Sequence, residues 1–184
     1  YKWGTTDVTR TICLGKIQNS VKNNFTRVLK GHIAVTNCNL KNNFNGYLVD
    51  KLARKFLNKV GLDYSHGTGH GVGFFLNVHE GPQAISKYNK VNLKKGMVLS
   101  NEPGYYLRNQ YGIRIENLIY VDSLKGNLFF KNLTLSPIDL DMINFKLLSI
   151  KERDYLFNYH LDVYSKISKY LNKNEKKWLI SLIK

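Results

Sequence analysis

From Ser65 to Gly73 the chain reads Ser-His-Gly-Thr-Gly-His-Gly-Val-Gly, and no other stretch limits its fold so strongly. Glycine at 67, 69, 71 and 73 puts four glycines into seven positions. That density forbids a stable helix and implies a backbone that runs very close to a neighbour. The segment also fails the register of a dinucleotide-binding turn, because Val72 and Phe74 stand where a third glycine is required. His66 and His70 are four apart, but glycine and threonine lie between them and no glutamate follows the first, so the zinc helix of the HExxH type is excluded.

Helical spacing precedes this segment. Apolar residues recur at Val21, Phe25, Val28, Leu29 and Ile33, which predicts a helix over 18–34. Leu48, Leu52 and Phe56, with Val49, Ala53 and Leu57 beside them, predict a second over 46–60, closed by Gly61. Strand patterns follow the glycines. The β-branched and apolar runs predict strands over 74–78, 97–101, 112–121 and 128–135, and the threonine-rich start, 1–14, also reads as extended. Ser149 with Glu152 and Asn172 with Glu175 are capping boxes that open two tail helices. No internal repeat and no linker interrupts the pattern, so the fold class is α+β with a helical carboxyl end.

A chain of 184 residues with 43% hydrophobic content can fill a core. Its net charge of +15 comes from 28 basic against 13 acidic residues, scattered without long like-charged blocks. No nucleic-acid partner is therefore expected. Two cysteines, Cys13 and Cys38, exclude a disulfide-dense scaffold and point to a reducing, cytoplasmic setting. No apolar run is long enough to span a bilayer, so no membrane partner is expected. There is no nucleophile elbow, phosphate-binding loop or CxxC pair, which argues against nucleophilic-residue catalysis.

The scarce acids locate the remaining chemistry. Asp7, Glu102 and Glu116 all fall in predicted strands, where a carboxylate needs a counter-charge. Glu116 could simply neighbour Arg114 on a solvated sheet face, and Glu102 could be a surface turn residue before Pro103. Together with a histidine, however, one Asp and two Glu can hold two divalent ions roughly 3.5–4 Å apart. Carboxylate-rich sets of this kind tilt toward harder ions such as Mn.

Six ordered motifs then carry a resemblance: Gly4-Thr5-Thr6-Asp7-Val8-Thr9-Arg10-Thr11, Val28-Leu29-Lys30-Gly31-His32-Ile33-Ala34, His66 to Gly73, Leu76-Asn77-Val78-His79-Glu80-Gly81-Pro82, Ser100-Asn101-Glu102-Pro103-Gly104-Tyr105-Tyr106 and Gly112-Ile113-Arg114-Ile115-Glu116-Asn117. The chain closely resembles aminopeptidase P, the Xaa-Pro aminopeptidase of the pita-bread metallopeptidase family M24. The resemblance implies a pita-bread fold, incomplete at its amino-terminal edge. It assigns 1–135 to the carboxyl-terminal portion of the catalytic domain and 136–184 to a helical extension packed on it.

The resemblance further implies metal ligation by Asp7, His70, Glu102 and Glu116, catalysis by Glu102 and His79, and substrate contacts by His66, His70, His79, Tyr106 and Arg114. Arg114 would orient a carboxylate ligand, and His32 would be structural. The implied reaction removes the N-terminal residue from peptides with proline second, by a hydroxide bridging two divalent ions, Mn2+ before Zn2+ or Co2+. The peptide is the substrate, and a homodimer is implied. The family's first metal-binding Asp would lie in an Asp-Ser-Gly stretch ahead of Tyr1, so these residues alone are expected to be inactive and the complete protein active. An inactive remnant or split subunit, and a non-catalytic pita-bread binding module, are the competing expectations.

Overall fold

The computed structural model describes residue 2 and residues 4–40, 44–73 and 77–183. The described chain forms two compact units: Tyr1–Thr11 with Arg27–Thr134, and Ile12–Thr26 with Leu135–Lys184. Residues 12–26, grouped by the sequence with the first portion, count with the second unit, so α1 (Asn19–Thr36) contributes its first half to one and its second half to the other.

In the first unit, α2 (Gly46–Asn58) begins at Asn45, whose side chain accepts the amide of Leu48, as a helix start with unpaired amides requires. Gly61 ends the segment with φ +72°, in the left-handed region that glycine enters without strain. The two helices cross closely at Gly31, where a Cβ would lie 2.3 Å from the carbonyl oxygen of Ala53. Their apolar faces, through Val35, Val49 and Ala53, pack on Leu99, Ile119, Val121 and Phe130 from the sheet. The three-and-four spacing marks Val49 and Ala53 but not Val35, and Leu48, which leads the predicted α2 stripe, is exposed.

The sheet is antiparallel. β3 (Val98–Asn101) pairs with β6 (Asn117–Leu124), and β6 with β7 (Asn127–Asn132). The short β1 (Gly69–His70) pairs with β2 (Ala84–Ile85) and also runs beside β3: Gly71 pairs with Leu99, and the Glu102 amide donates to Thr68 O at 2.7 Å. Glycine is required at 69, since a Cβ there would lie 1.9 Å from the carbonyl oxygen of Ser100. The hairpin of β4 (Gly104–Leu107) and β5 (Tyr111–Arg114) places Gly104 opposite Arg114.

Several expectations shift. The predicted strand over 112–121 is two strands, broken at Ile115 and Glu116. The described part of 1–14 forms no strand; a threonine hydroxyl and a single main-chain bond tie it to residues 114–116 in place of a ladder. The Thr11 hydroxyl accepts the Arg114 amide at 2.9 Å and donates to the Arg114 carbonyl at 3.1 Å, while Thr9 O accepts the Glu116 amide at 3.0 Å. Of the strand predicted over 74–78, residues 74–76 lie outside the described residues, and Asn77 and Val78 are in no strand.

In the second unit, α3 (Ile150–Ile167) and α4 (Lys173–Ser181) start with the capping boxes Ser149–Glu152 and Asn172–Glu175. Leu156, Tyr159, His160 and Val163 of α3 and Leu179 of α4 are buried. The His160 ring accepts the Ile138 amide at 3.0 Å, and the Tyr159 hydroxyl donates to Ser136 O at 2.7 Å, which ties the irregular stretch after Thr134 to the helix. No described helix is long and apolar enough to cross a membrane.

Candidate metal and substrate site

The sheet register assembles the site. Asn101 faces Asn117 at the end of the β3–β6 ladder, so the next residues outward, Glu102 and Glu116, leave the ladder at the same end. Neither glutamate is in a strand, contrary to the sequence expectation, and Asp7 is in none either. Pro103 has no amide to continue a ladder. A residue just past a strand end is held by the sheet while its carboxylate remains free to turn toward a neighbour.

β1 delivers His70 to these carboxylates. Its Nδ1 bonds to Gly71 O at 3.0 Å, so Nε2 is the ring atom turned outward. Nε2 lies 3.4 Å from Asp7 Oδ2 and 3.2 Å from Glu102 Oε1. Two overlapping groups result, Asp7 with His70 and His79, and His70 with Glu102 and Glu116, each with one donor atom per residue within 4.8 Å of the others. His79 is exposed, and its ring centre stands 3.9 Å from that of His70.

Three carboxylates this close repel one another. Burial first, then the charges of Glu102 and Asp7, push the Glu116 carboxyl up to about 7, although the Thr9 hydroxyl bonded to it pulls the other way. A carboxylate-rich, imidazole-containing donor set suits divalent cations, whose charge relieves that repulsion. The residues present therefore fit a metal centre.

The carboxylates are held from behind. Ser100 Oγ donates to Glu102 Oε1 at 2.9 Å and accepts the His70 amide at 2.9 Å, so one hydroxyl spans two of the donors. Arg10 Nη1 donates to Glu116 O at 2.6 Å, and its Nη2 to Asn117 Oδ1 at 2.7 Å. The guanidinium of Arg114 lies 3.3 Å from Glu102 Oε2, not on Glu116, which the sequence offered as its neighbour. The hairpin register explains this choice, for Gly104 opposite Arg114 is only two residues from Glu102.

A second row faces the same side. Arg114 Nε donates to the Tyr106 hydroxyl at 2.7 Å, and that hydroxyl is 3.0 Å from His66 Nε2. His66 donates from Nδ1 to Gly67 O at 2.7 Å, which leaves Nε2 as acceptor for the Tyr106 proton. Partial burial, and more weakly the Arg114 charge, hold the His66 pKa below its ordinary value against the pull of the Gly67 carbonyl. The sequence thus named Asp7, His66, His70, His79, Glu102, Tyr106, Arg114 and Glu116, and the fold brings all eight into these two connected clusters. It gave no role to Thr9, Arg10 or Ser100, although each lies in one of the six motifs. Ser100, a polar residue inside an apolar strand, was the only one with a readable signal.

His32 and Cys38 lie apart from this chemistry. His32 is fully buried on α1, and burial of Cys38 pushes its thiol up to about 12; Cys13 and Cys38 are both unpaired.

Comparison with known proteins bears on this geometry. The family model described as metallopeptidase family M24 matches residues 1–123, and that of the C-terminal region of peptidase M24 matches residues 126–183. The chain is 47% identical over 189 residues to a probable Xaa-Pro aminopeptidase P of Coprinopsis cinerea, covering 96% of this chain and 30% of that protein. It is 47% identical over 190 residues to aminopeptidase P2 of Arabidopsis thaliana, covering 97% and 27%. The crystal structure of X-prolyl aminopeptidase from Caenorhabditis elegans, described as a cytosolic enzyme with a di-nuclear active site, matches with a TM-score of 0.91 at 40% identity, over 98% of this chain and 31% of that one. Prolidase from Pyrococcus furiosus matches with a TM-score of 0.62 at 30% identity, over 70% of this chain and 36% of that one. The chain therefore spans about 30% of the length of the curated relatives named here. Its mixed helix and sheet architecture is the pita-bread fold, and with both family models matching in order along it, the chain belongs to metallopeptidase family M24.

Proposed function

We propose that the protein bearing this chain is an Xaa-Pro aminopeptidase that uses two divalent ions, with manganese the metal used. The observation that carries this reading is the convergence of Asp7, His70, Glu102 and Glu116 within two overlapping donor groups. Asp7, His70, Glu102 and Glu116 would hold the ions.

When bound, such a pair of ions activates water and polarises the scissile carbonyl. The chain's own residues do the rest. Glu102, held on one oxygen by Ser100 and facing Arg114 with the other, would take a proton from water and return it to the departing amine. His79, beside His70 and exposed, would bond the peptide next to the scissile bond. His66, with Tyr106 and Arg114, would form the proline side of the pocket, where a ring can lie against aromatic edges. The relatives named above support this substrate, and the cytosolic C. elegans enzyme supports a cytosolic setting. A homodimer belongs to the same reading.

The test is hydrolysis by the full-length protein loaded with Mn2+. Release of the first residue from Xaa-Pro-containing peptides, at least a hundredfold slower from matched Xaa-Ala peptides, lost with a chelator and restored by metal, is expected on the order of effect such sites confer. Equal cleavage of both peptides, or activity untouched by the chelator, overturns the reading.

A further inference from the structure

The first turn after α2 is held by a side chain that the chemistry above does not use. Residues 62–68, which carry His66, belong to no helix or strand and so lack a ladder of their own. Arg54, on α2 with its side chain only 10% exposed, supplies what is missing. Its Nη2 donates to His66 O at 2.6 Å, and its Nη1 to Tyr64 O at 2.7 Å and Asp63 Oδ1 at 2.8 Å. Nε is bound to Asp50 Oδ2 at 2.8 Å, one helical turn back.

The same guanidinium lies 3.9 Å from the centre of the Tyr64 ring, and that ring is 4.8 Å from the ring of His66. Backbone and ring of the histidine are therefore both referred to Arg54. A second arm runs from Asp50 through the Thr68 hydroxyl, at 2.6 Å, to Thr68 O, which accepts the Glu102 amide. A buried ion pair is poor evidence of stability, because apolar residues of similar volume often serve as well. What apolar residues cannot do is donate to two carbonyls two residues apart. Lysine cannot reproduce that planar fork either.

We propose that Arg54 is a positioning residue for His66, setting where the substrate-side imidazole stands, while Asp50 aims the guanidinium. The proposal rests on the reading of His66 as a substrate contact. Arg54 acts through His66 and touches no donor of the metal groups, so its loss falls on substrate binding and not on metal content.

The experiment is steady-state kinetics on an Xaa-Pro peptide with the full-length protein, comparing Arg54→Lys, His66→Ala and the double variant, with bound metal measured in each. Arg54→Lys is expected to lower kcat/KM by about tenfold to a hundredfold, mainly by raising KM, with metal content unchanged. In the His66→Ala background the same change should have little further effect, since the group it positions is gone. An undiminished Arg54→Lys loss in that background, or a fall in kcat and metal content with KM unmoved, overturns the positioning role and leaves the substrate-site reading intact. No loss from His66→Ala itself overturns that reading and the proposal with it. Should Arg54→Lys not fold, Asp63→Asn, which removes a half-exposed partner of the fork, decides: a smaller KM effect that vanishes in the His66→Ala background supports the role, and an additive one or none overturns it.

Discussion

Arg114 donates its Nε proton to the hydroxyl of Tyr106 at 2.7 Å, and this single bond orients a chain of donors across the site. With that lone pair occupied, the Tyr106 proton turns to His66 Nε2, while the other edge of the guanidinium faces Glu102 at 3.3 Å. One residue thereby ties the Glu102 carboxylate to the His66 imidazole.

Tyr106→Phe keeps the ring and removes the relay. Under the proposed function it should cut kcat/KM of the full-length protein for an Xaa-Pro peptide by about tenfold to a hundredfold with metal content unchanged, whereas Arg114→Lys, which also loosens Glu102, should weaken metal binding as well. Calorimetric metal titration of both variants, beside their kinetics, checks the difference. Indistinguishable metal affinities would mean that Arg114 does not orient Glu102.

Thr9 illustrates the same logic at the other carboxylate. Its hydroxyl donates to Glu116 Oε2, and no other side-chain donor on that oxygen is seen among the described residues. Thr9→Val is nearly isosteric and is expected to weaken affinity for added Mn2+ by about tenfold to a hundredfold without unfolding the protein. Wild-type affinity in a metal titration would show that Glu116 needs no such support.

His32 makes the protein sensitive to acid. It is fully buried, neither ring nitrogen has a hydrogen-bond partner among the described residues, and burial, with the Arg10 charge second, lowers its pKa from 6.5 to about 3. Between those values the unfolded chain holds the proton and the folded chain does not. Stability is therefore full above the unfolded pKa and falls as pH drops below it, by about 1.4 kcal/mol per pH unit crossed. His32→Gln should flatten the dependence of urea-unfolding free energy on pH between about 6 and about 4 by that slope. Parallel slopes for the two proteins would exclude a neutral buried imidazole.

Gly69→Ala tests the close approach that the glycine-rich segment implies. The added Cβ would meet backbone, Ser100 O at 1.9 Å, which no side-chain rotation relieves. A loss of about 3 kcal/mol or more is expected, together with displacement of His70 and loss of metal binding. Gly15→Ala, with nothing within 4 Å, should change stability by less than about 0.5 kcal/mol. Comparable thermal unfolding midpoints for the two variants would contradict the packing at Gly69.

Local patterns carried the helices. The spacing of Val28, Ile33, Val49, Ala53 and Leu57 reports a buried stripe directly, and Ser149–Glu152 and Asn172–Glu175 form their capping boxes within four residues of sequence, so neither needs the rest of the chain. The glycine-rich segment and the six ordered motifs were likewise enough to place the chain in its family and to name the residues that converge.

Partners were not legible, because they depend on which distant segments lie side by side. Nothing near Arg114 in sequence says that it faces Glu102 in preference to Glu116; the β4–β5 register decides it. The side chains of Thr9 and Arg10 reach Glu116 and Asn117 more than a hundred residues away, and Arg54 collects the carbonyls of Tyr64 and His66 from a stretch that is neither helix nor strand. Periodicity thus marked the helices and their buried stripes, since burial repeats with the geometry of a helix, but it did not mark the break at Ile115 and Glu116 or the absence of a strand in the described part of 1–14. Only the tertiary structure decided that Glu102 and Glu116 leave their strands at one end of the sheet, because a hydrogen bond or ion pair is set by register and distance, quantities that a one-dimensional pattern does not contain.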